Sequence, residues 1–239
     1  MKDIFSNNVN NTETTAYMNW RTQRLDHINN MIVVAEGFRD SSLLLVKEIL
    51  KDNTDKKADI LIFPILFNAN HSIEVYLKAI CWTQNRLLDK DDKFDENHDL
   101  RWLFKKVVDL ENELNNSNDK AVFHEMLSNL KAYIYELYGK IERTIKDKKG
   151  NDKSIYDITF CRYTFTLGKG KDLAPQFYIN TFENVVVDLE NFLTVFKSIF
   201  DNLKSLSMYY SSLLEAKQEN EYEALQLQKE MESEFRGDY

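Results

Sequence analysis

The chain of 239 residues is poor in the residues that break regular structure, with 2 prolines and 6 glycines. Proteins made of many short strands need such residues at their tight turns. The scarcity therefore argues against an all-β sandwich or barrel. A hydrophobic content of 43% is too high for a disordered chain, and the length allows a large buried core without disulfide or metal staples.

Cysteine is also scarce, because the chain holds only Cys81 and Cys161. Two cysteines this far apart match no metal-ligand spacing, so we expect reduced thiols and neither a metal nor a cofactor. The first 17 residues lack the apolar core of a signal peptide, and no uncharged apolar run reaches transmembrane length. These absences predict a cytoplasmic protein without a membrane partner.

Basic residues are fewer than acidic ones, at 31 against 39, and the net charge is −8. This balance disfavours broad, sequence-blind nucleic-acid binding, which depends on Lys and Arg neutralising phosphates. The charge is uneven, however: residues 215–239 hold eight acidic and three basic side chains and so carry −5 of the total. We expect a polar segment over residues 1–19, a helical bundle over 20–214 and an acidic helical extension over 215–239.

Four segments before residue 146 show apolar residues spaced three and four apart, the pattern of a helix with one apolar face. They predict helices over residues 20–50, 60–87 and 119–145, and a further helix that Asp99 caps. The second segment is nearly continuously apolar, which indicates a central, buried helix. The sequence therefore predicts an all-α fold, arranged as an up-and-down bundle with an irregular segment and a long C-terminal helix.

The last helix is predicted to begin near Asn180 and Glu183, an approximate capping box. Its apolar residues recur every seven positions over about four heptads. The seam consists of Leu189, Phe192, Phe196, Ile199, Leu203, Leu206, Tyr210 and Leu213. Such a seam fits either lengthwise packing on the bundle or pairing with a second copy, and a homodimer remains one expectation.

The helical period disappears between residues 146 and 177, where we expect an ordered loop with one hairpin. Lysines and arginines are concentrated there and alternate with aromatic residues, a mixture that suits single-stranded RNA. The candidate RNA-binding residues are Arg162, Tyr163, Lys169 and Lys171. A solvated basic loop anchored by its aromatic side chains is the alternative interpretation.

Polar residues interrupt the apolar second helix and begin the third. His71 and Glu74 are three residues apart and share a face with Lys78, while His98 and Asp99 open the next helix. If helices two and three are antiparallel neighbours, these side chains converge. The cluster then either performs metal or acid–base chemistry or, as we favour, forms a buried hydrogen-bond network that holds the two helices in register.

Three short motifs resemble the HEPN superfamily, the higher eukaryote and prokaryote nucleotide-binding domains. The first is the run from Phe67 to Ile80, FNANHSIEVYLKAI, and the second is the His98, Asp99, Leu100 opening of the next helix. The third is Arg162 and Tyr163 before the last helix, and the similarity spans residues 20–206. The resemblance implies an all-α, commonly dimeric bundle from a superfamily rich in RNases of toxin–antitoxin, abortive-infection and CRISPR systems, alongside non-catalytic relatives.

Active HEPN nucleases carry Arg and His four to six residues apart near the start of the closing helix, where His moves protons and Arg steadies the phosphorane. In this chain no His follows Arg162. The right spacing occurs only from Arg21 to His27, at the predicted start of helix one. The resemblance therefore implies a non-catalytic RNA- or protein-binding component of antiphage defence or a toxin–antitoxin system. The alternatives are an RNase using Arg21 and His27, and an adaptor docking a partner through its last helix and acidic tail.

Overall fold

The computed structural model describes residues 3–6, 8–18, 21–90, 96–114, 120–146, 151–156, 158–162, 165–167, 175–177 and 185–236. The fold is all-α, as predicted, because helices supply almost all of the core. They are α1 (His27–Lys51), α2 (Ala58–Leu87), α3 (Leu100–Leu114), α4 (Lys120–Met126), α5 (Ser128–Ile141) and α6 (Leu189–Arg236). Two small antiparallel hairpins lie between α5 and α6, pairing β1 (Arg143–Lys146) with β2 (Asp152–Ile155), and β3 (Phe165–Leu167) with β4 (Pro175–Phe177).

Capping side chains fix where α1 and α3 begin. The Asp26 carboxylate accepts a hydrogen bond of 3.0 Å from the Asn29 N–H, so α1 starts at His27 and the predicted start at residue 20 is wrong. Asp99 caps α3 as predicted, accepting from the N–H groups of Arg101 at 2.8 Å and Trp102 at 3.3 Å. Each short carboxylate thus satisfies amide donors that have no partner within the helix.

The predicted helix over residues 119–145 is two helices, α4 and α5, which meet at Leu127. The apolar stripe continues through the break, since Phe123, Leu127 and Leu130 are all buried, and for that reason the sequence pattern does not reveal it. Helix α5 ends at Ile141, and β1 begins two residues later by pairing its backbone with β2. Hydrogen bonding between strands therefore replaces the helix before residue 145.

The last helix starts at Leu189, later than predicted. The Asp188 carboxylate accepts from the Asn191 N–H at 3.0 Å and its carbonyl accepts from the Phe192 N–H at 2.8 Å. Asn180 and Glu183 lie outside the described residues. From Leu189 the helix is continuous for 48 residues.

Contacts between helices show their directions. Helix α1 is antiparallel to α2, because His27 stacks on Trp82 whereas the Ser72 hydroxyl donates to the carbonyl of Ala35 at 2.8 Å. Along α2 and α3 the contacts advance together: Glu74 meets His98, and the Gln84 amide donates to the Val107 carbonyl at 3.2 Å. These two helices are therefore parallel. The polar side chains therefore converge without the antiparallel arrangement that was assumed for them, and the predicted up-and-down order is broken between α2 and α3.

The connection from residue 88 to residue 99 makes this parallel arrangement possible. Asp89, with φ of 54°, follows the end of α2, and the chain then returns to the level of Glu74. At 1.5 Å per helical residue, the distance from Leu87 back to Glu74 is about 20 Å. Twelve residues span that distance easily.

Helix α6 packs lengthwise on the bundle, against α1, α2, α4 and α5. Its buried residues follow the predicted seam: Phe192, Phe196, Ile199, Phe200, Leu203, Leu206 and Tyr210. Tyr210 ends this buried run and donates a hydrogen bond of 2.6 Å to the buried carboxylate of Glu111 on α3. Lengthwise packing is thus confirmed, while pairing with a second copy stays a prediction.

Beyond its buried seam, α6 continues away from the bundle. Lys217 makes the last described contact to it, donating to the carbonyls of Arg86 at 3.3 Å and Leu87 at 3.1 Å and pairing with Asp89 at 2.6 Å. A lysine placed on the final carbonyls of α2 compensates the negative end of that helix. From residue 218 to residue 232 every side chain except Gln226 is exposed.

By length and composition, α2 is a helix that could cross a membrane, with a mean hydropathy of 1.3 over an 18-residue window. Half of that window is buried within the fold, and the central helix of a folded core passes the same test. The finding is therefore weak evidence for a membrane span.

Candidate functional site

Four of the predicted polar residues meet at the side of α2. We call His71, Glu74, Lys78 and His98 the Glu74 cluster. Glu74 is at its centre: its Oε1 lies 2.9 Å from Lys78 Nζ and 2.8 Å from His98 Nδ1, and its Oε2 lies 3.9 Å from His71 Nδ1. Helical spacing places Lys78 one turn beyond Glu74, and the parallel packing of α3 brings its first residues alongside.

Burial of the Glu74 carboxylate by itself raises its pKa. The side chains of His71, Lys78 and His98 oppose that effect and lower the pKa to about 2. Glu74 and Lys78 are each only 5% exposed. The carboxylate is thus held ionised by a buried ion pair, in which removal of either partner leaves an uncompensated charge.

The cluster differs from the predicted one in two respects. The side chain of His98 is 69% exposed, so it contacts Glu74 from the protein surface and is not itself buried. Asp99 does not join the cluster, since its carboxylate caps α3. The remaining contacts link α2 to the start of α3 and match the interpretation of a network that fixes helix register.

Within the described part of the chain, no group of three or more His, Cys, Asp and Glu side chains is arranged to hold a metal ion. In the Glu74 cluster, the oxygen facing His98 already faces the ammonium of Lys78. A metal ion there would be placed beside a buried cation, which is unfavourable.

Arg162 is the one predicted RNA-binding residue whose side chain is described, and it packs against the same helix, α2, from the segment that follows β2. Its guanidinium carbon is 4.9 Å from the ring centroid of Phe67, and Arg162 is exposed. The Phe67 ring stacks on His71 with centroids 5.8 Å apart, and Phe38 of α1 meets His71 edge-on at 4.4 Å. We call Arg162, Phe67 and His71 the Arg162 surface. Tyr163, Lys169 and Lys171 lie outside the described side chains.

Two polar atoms near this surface have no hydrogen-bond partner among the described residues. They are Nδ2 of Asn70 and Nδ1 of His71, on neighbouring residues of α2. Asn70 is buried, and its Oδ1 accepts a hydrogen bond of 2.5 Å from the hydroxyl of Tyr133. A buried amide N–H without a partner is costly to the fold.

A cleft of about 340 Å³ opens beside the start of α3, on the other side of His98. It is lined by Glu96, Asn97, His98, Asp99, Tyr138, Tyr156 and Ile158. The Arg101 guanidinium lies between two rings of this region, 4.1 Å from the Tyr138 centroid and 3.7 Å from the Tyr156 centroid. Since Arg101 is already stacked on both rings, the cleft is a less open platform than the Arg162 surface.

The candidate catalytic pair is not assembled within one helix. Arg21 is exposed in the turn before α1, whereas His27 is the first residue of α1 and stacks on Trp82 with centroids 6.2 Å apart. The predicted placement of both residues at the start of helix one is therefore wrong for Arg21. The capping role near this start belongs to Asp26.

Neither cysteine is exposed. Both Cys81 and Cys161 are buried, and they form no disulfide bond. Burial raises the pKa of the Cys161 thiol strongly, and the nearby charge of Arg162 only partly opposes the effect. A buried, protonated thiol is a poor nucleophile.

Sequence reasoning missed Phe67 as the support for Arg162 and Tyr133 as the partner of Asn70. Phe67 precedes His71 by one helical turn, so spacing alone was a usable signal for it. Tyr133 comes from α5, 63 residues away from Asn70 along the chain. No local pattern indicates a contact of that kind.

Comparison with known proteins returned no match, whether to a family model, to a curated protein or to a solved structure. The structure by itself thus establishes the class, an all-α helical bundle.

Proposed function

We propose that the protein is a non-catalytic, HEPN-like component of prokaryotic antiphage defence or a toxin–antitoxin system, acting in the cytoplasm by binding RNA. The order of helices and the contact between the two motif segments, in which His98 reaches Glu74, support the likeness to HEPN domains. The prokaryotic setting and a homodimeric state rest on that likeness.

The observation that carries RNA binding is the position of Arg162. An exposed guanidinium held over an aromatic ring can pair with a phosphate and can itself stack on a base. The negative charge of Glu74 is offset locally by Lys78 and His98, so it repels a phosphate less than a free carboxylate would.

A binding role is favoured over cleavage because the residues present do not form a proton-transfer and phosphate-stabilising pair. Arg21 and His27 belong to different local structures, and the His27 ring is stacked on Trp82. His98 is held by Glu74, and the guanidinium of Arg101, three residues further on, is stacked on Tyr138. An RNase that uses Arg21 and His27 would need a second chain to complete its site.

The test is RNA affinity measured by fluorescence anisotropy at several salt concentrations, using a labelled single strand of about 12 nucleotides. We expect Arg162→Ala to weaken binding and to reduce the slope of log K against log salt by about 0.7, the value for one phosphate contact. Phe67→Leu should weaken binding while keeping the charge.

Arg24→Ala is the matched control, because Arg24 is also exposed but lies near the far end of α2, about 20 Å from Phe67 along the helix. Equal losses for Arg24→Ala and Arg162→Ala would show only non-specific attraction and would reject the proposed surface. If the wild type cleaves RNA and His27→Ala abolishes that cleavage, the RNase alternative would replace the proposed binding function.

A second function, a protein-binding adaptor, is favoured by one observation: α6 extends past Lys217 as an exposed acidic helix. Deleting residues 215–239 should abolish capture of a partner from the native host without changing the circular dichroism of the bundle. Unchanged capture would reject the adaptor function and leave RNA binding untouched.

A further inference from the structure

The exposed end of α6 carries an ordered arrangement of apolar and acidic side chains. We call residues 218–232 the projecting segment. Ala224, Leu227 and Met231 are spaced three and four apart and so share one face, the apolar stripe. Leu227 is 61% exposed and Met231 is 59% exposed, and no described residue covers them.

Acidic residues line both sides of the apolar stripe. At 3.6 residues per turn, Glu219, Glu223 and Glu230 fall along one side, about a quarter of a turn from the stripe. Glu221 and Glu232 fall along the opposite side. With Lys229 as its one basic residue, the projecting segment carries five acidic charges against one basic charge. An apolar stripe between two acidic rows is the surface that one helix offers to another in a coiled coil.

Side-chain pairs give the segment only small support as an isolated helix: Gln228 donates to Glu232 at 3.1 Å and Glu221 lies 3.8 Å from Lys217, each pair contributing about 0.2–0.5 kcal/mol. No glutamate stands four residues before Lys229, the spacing at which a Glu–Lys pair stabilises a helix best. Most helical stability in proteins comes from packing of one apolar face, and here that face is uncovered. A partner that buries the stripe would supply the missing packing.

Charge decides which partner fits. A second copy would bring two acidic segments together and place like charges beside the stripe, which destabilises helix pairing. A basic partner would pair with both acidic rows and associate faster through electrostatic attraction.

We propose that the projecting segment binds an amphipathic helix of a partner protein whose apolar face is flanked by lysines and arginines. This proposal rests on the adaptor function and specifies the chemistry of its partner. Binding buries Leu227 and Met231 against the partner helix and pairs the glutamate rows with its basic rows.

The experiment uses the full chain and a synthetic helical peptide of about 20 residues, with Leu at the core positions of the heptad and Lys beside them. Isothermal titration calorimetry should detect binding that weakens as salt rises. The double variant Leu227→Gln with Met231→Gln should weaken binding at least about tenfold. Glu219→Gln with Glu223→Gln and Glu230→Gln should flatten the salt dependence.

The matched control is Tyr222→Gln with Leu225→Gln, since these two side chains are similarly exposed on the same segment but lie off the stripe. It should keep wild-type affinity, and a scrambled peptide of the same composition should bind more weakly.

Equal losses in both double variants, or no peptide binding, would overturn the proposal. If light scattering shows that the wild type is a dimer and that the Leu227 and Met231 double variant is a monomer, the apolar stripe would be the contact with a second copy of the chain. If the partner captured from the host has no basic amphipathic helix, the adaptor function would stand and this inference about its partner would be rejected.

Discussion

The two halves of α6 have the same backbone conformation and very different surroundings. From Leu189 to Lys217 the helix buries a seam on the bundle, whereas from residue 218 onward it has almost no neighbours. Both halves contain large apolar residues, for example Phe200, which is fully buried, and Leu227, which is 61% exposed. The backbone is therefore helical in both halves, whereas the stabilisation that each side chain contributes depends on whether it is buried.

Carboxylates show the same contrast between the bundle and the projecting segment. Glu74 and Glu111 are buried, and each has a defined partner, Lys78 with His98 for the first and Tyr210 for the second. The glutamates of the projecting segment are exposed. Buried carboxylates in the bundle thus hold different helices together, whereas in the extension Glu221 and Glu232 have their partners, Lys217 and Gln228, on the same helix.

The largest expected effect is from truncating a buried aromatic side chain. Phe200→Ala should lower the free energy of unfolding by about 4 kcal/mol, because it removes buried apolar surface and leaves a cavity. The matched change in the other half, Leu227→Ala, should stay within about 0.5 kcal/mol. Urea denaturation followed by circular dichroism measures both, and similar losses would show that the extension is packed after all.

Removing the charge of Glu74 should cost about 3 kcal/mol, since Glu74→Gln leaves Lys78 buried without its counter-ion. Glu223→Gln, an exposed carboxylate in the extension, should change stability by less than about 0.5 kcal/mol. The measurement is urea denaturation at neutral pH. A Glu74→Gln variant as stable as the wild type would mean that the ion pair contributes no net stability.

The pH dependence of stability follows from the same residue. The pKa of Glu74 lies at about 2 in the folded chain, below the ordinary value of 4.5, so its contribution is present above about pH 4.5 and is lost as the pH falls towards 2. The loss amounts to about 3 kcal/mol. Acid titrations of the wild type and of Glu74→Gln should differ in this window, and parallel curves would contradict the assigned cause.

A smaller effect is expected at the boundary between the two halves. Lys217→Ala removes the donor to the carbonyls of Arg86 and Leu87 and should cost about 1 kcal/mol. Lys229→Ala, beyond the boundary, should be neutral within about 0.5 kcal/mol. Amide hydrogen exchange near residue 213 should accelerate in the first variant only; equal rates would show that Lys217 does not anchor α6.

The smallest effect should come from removing residues 218–239 altogether. Because the described side chains of this segment contribute no packing to the bundle, the free energy of unfolding should change by less than about 0.5 kcal/mol. Thermal and urea unfolding of the truncated chain measure it. If the free energy of unfolding fell by several kcal/mol, residues 218–239 would contribute to the stability of the bundle, and the two halves of α6 would not differ in this respect.

Much of the helical architecture was predictable from spacing, because burial of one face forces apolar residues to recur every three or four positions. The ends of the helices were less predictable. Asp26 and Asp188 start α1 and α6 later than the predicted starts at residue 20 and near Asn180, since a cap depends on local backbone geometry. The break at Leu127 was invisible because both flanking helices bury the same stripe.

The candidate site was predictable in part. His71, Glu74 and Lys78 share a helix face by spacing alone, and His98 was placed beside them on the assumption of antiparallel helices. The contact exists with the opposite helix direction, because His98 lies level with Glu74 although α2 ends at Leu87. Sequence spacing cannot distinguish these two topologies.

By itself the sequence determined an all-α chain with a nearly neutral bundle and an acidic end, because composition, hydrophobic period and charge are local properties. Tertiary structure alone decided that Arg162 lies over Phe67 and that Lys217 ends the packed half of α6. Such contacts join residues more than 90 positions apart, and chain topology, not local preference, brings them together.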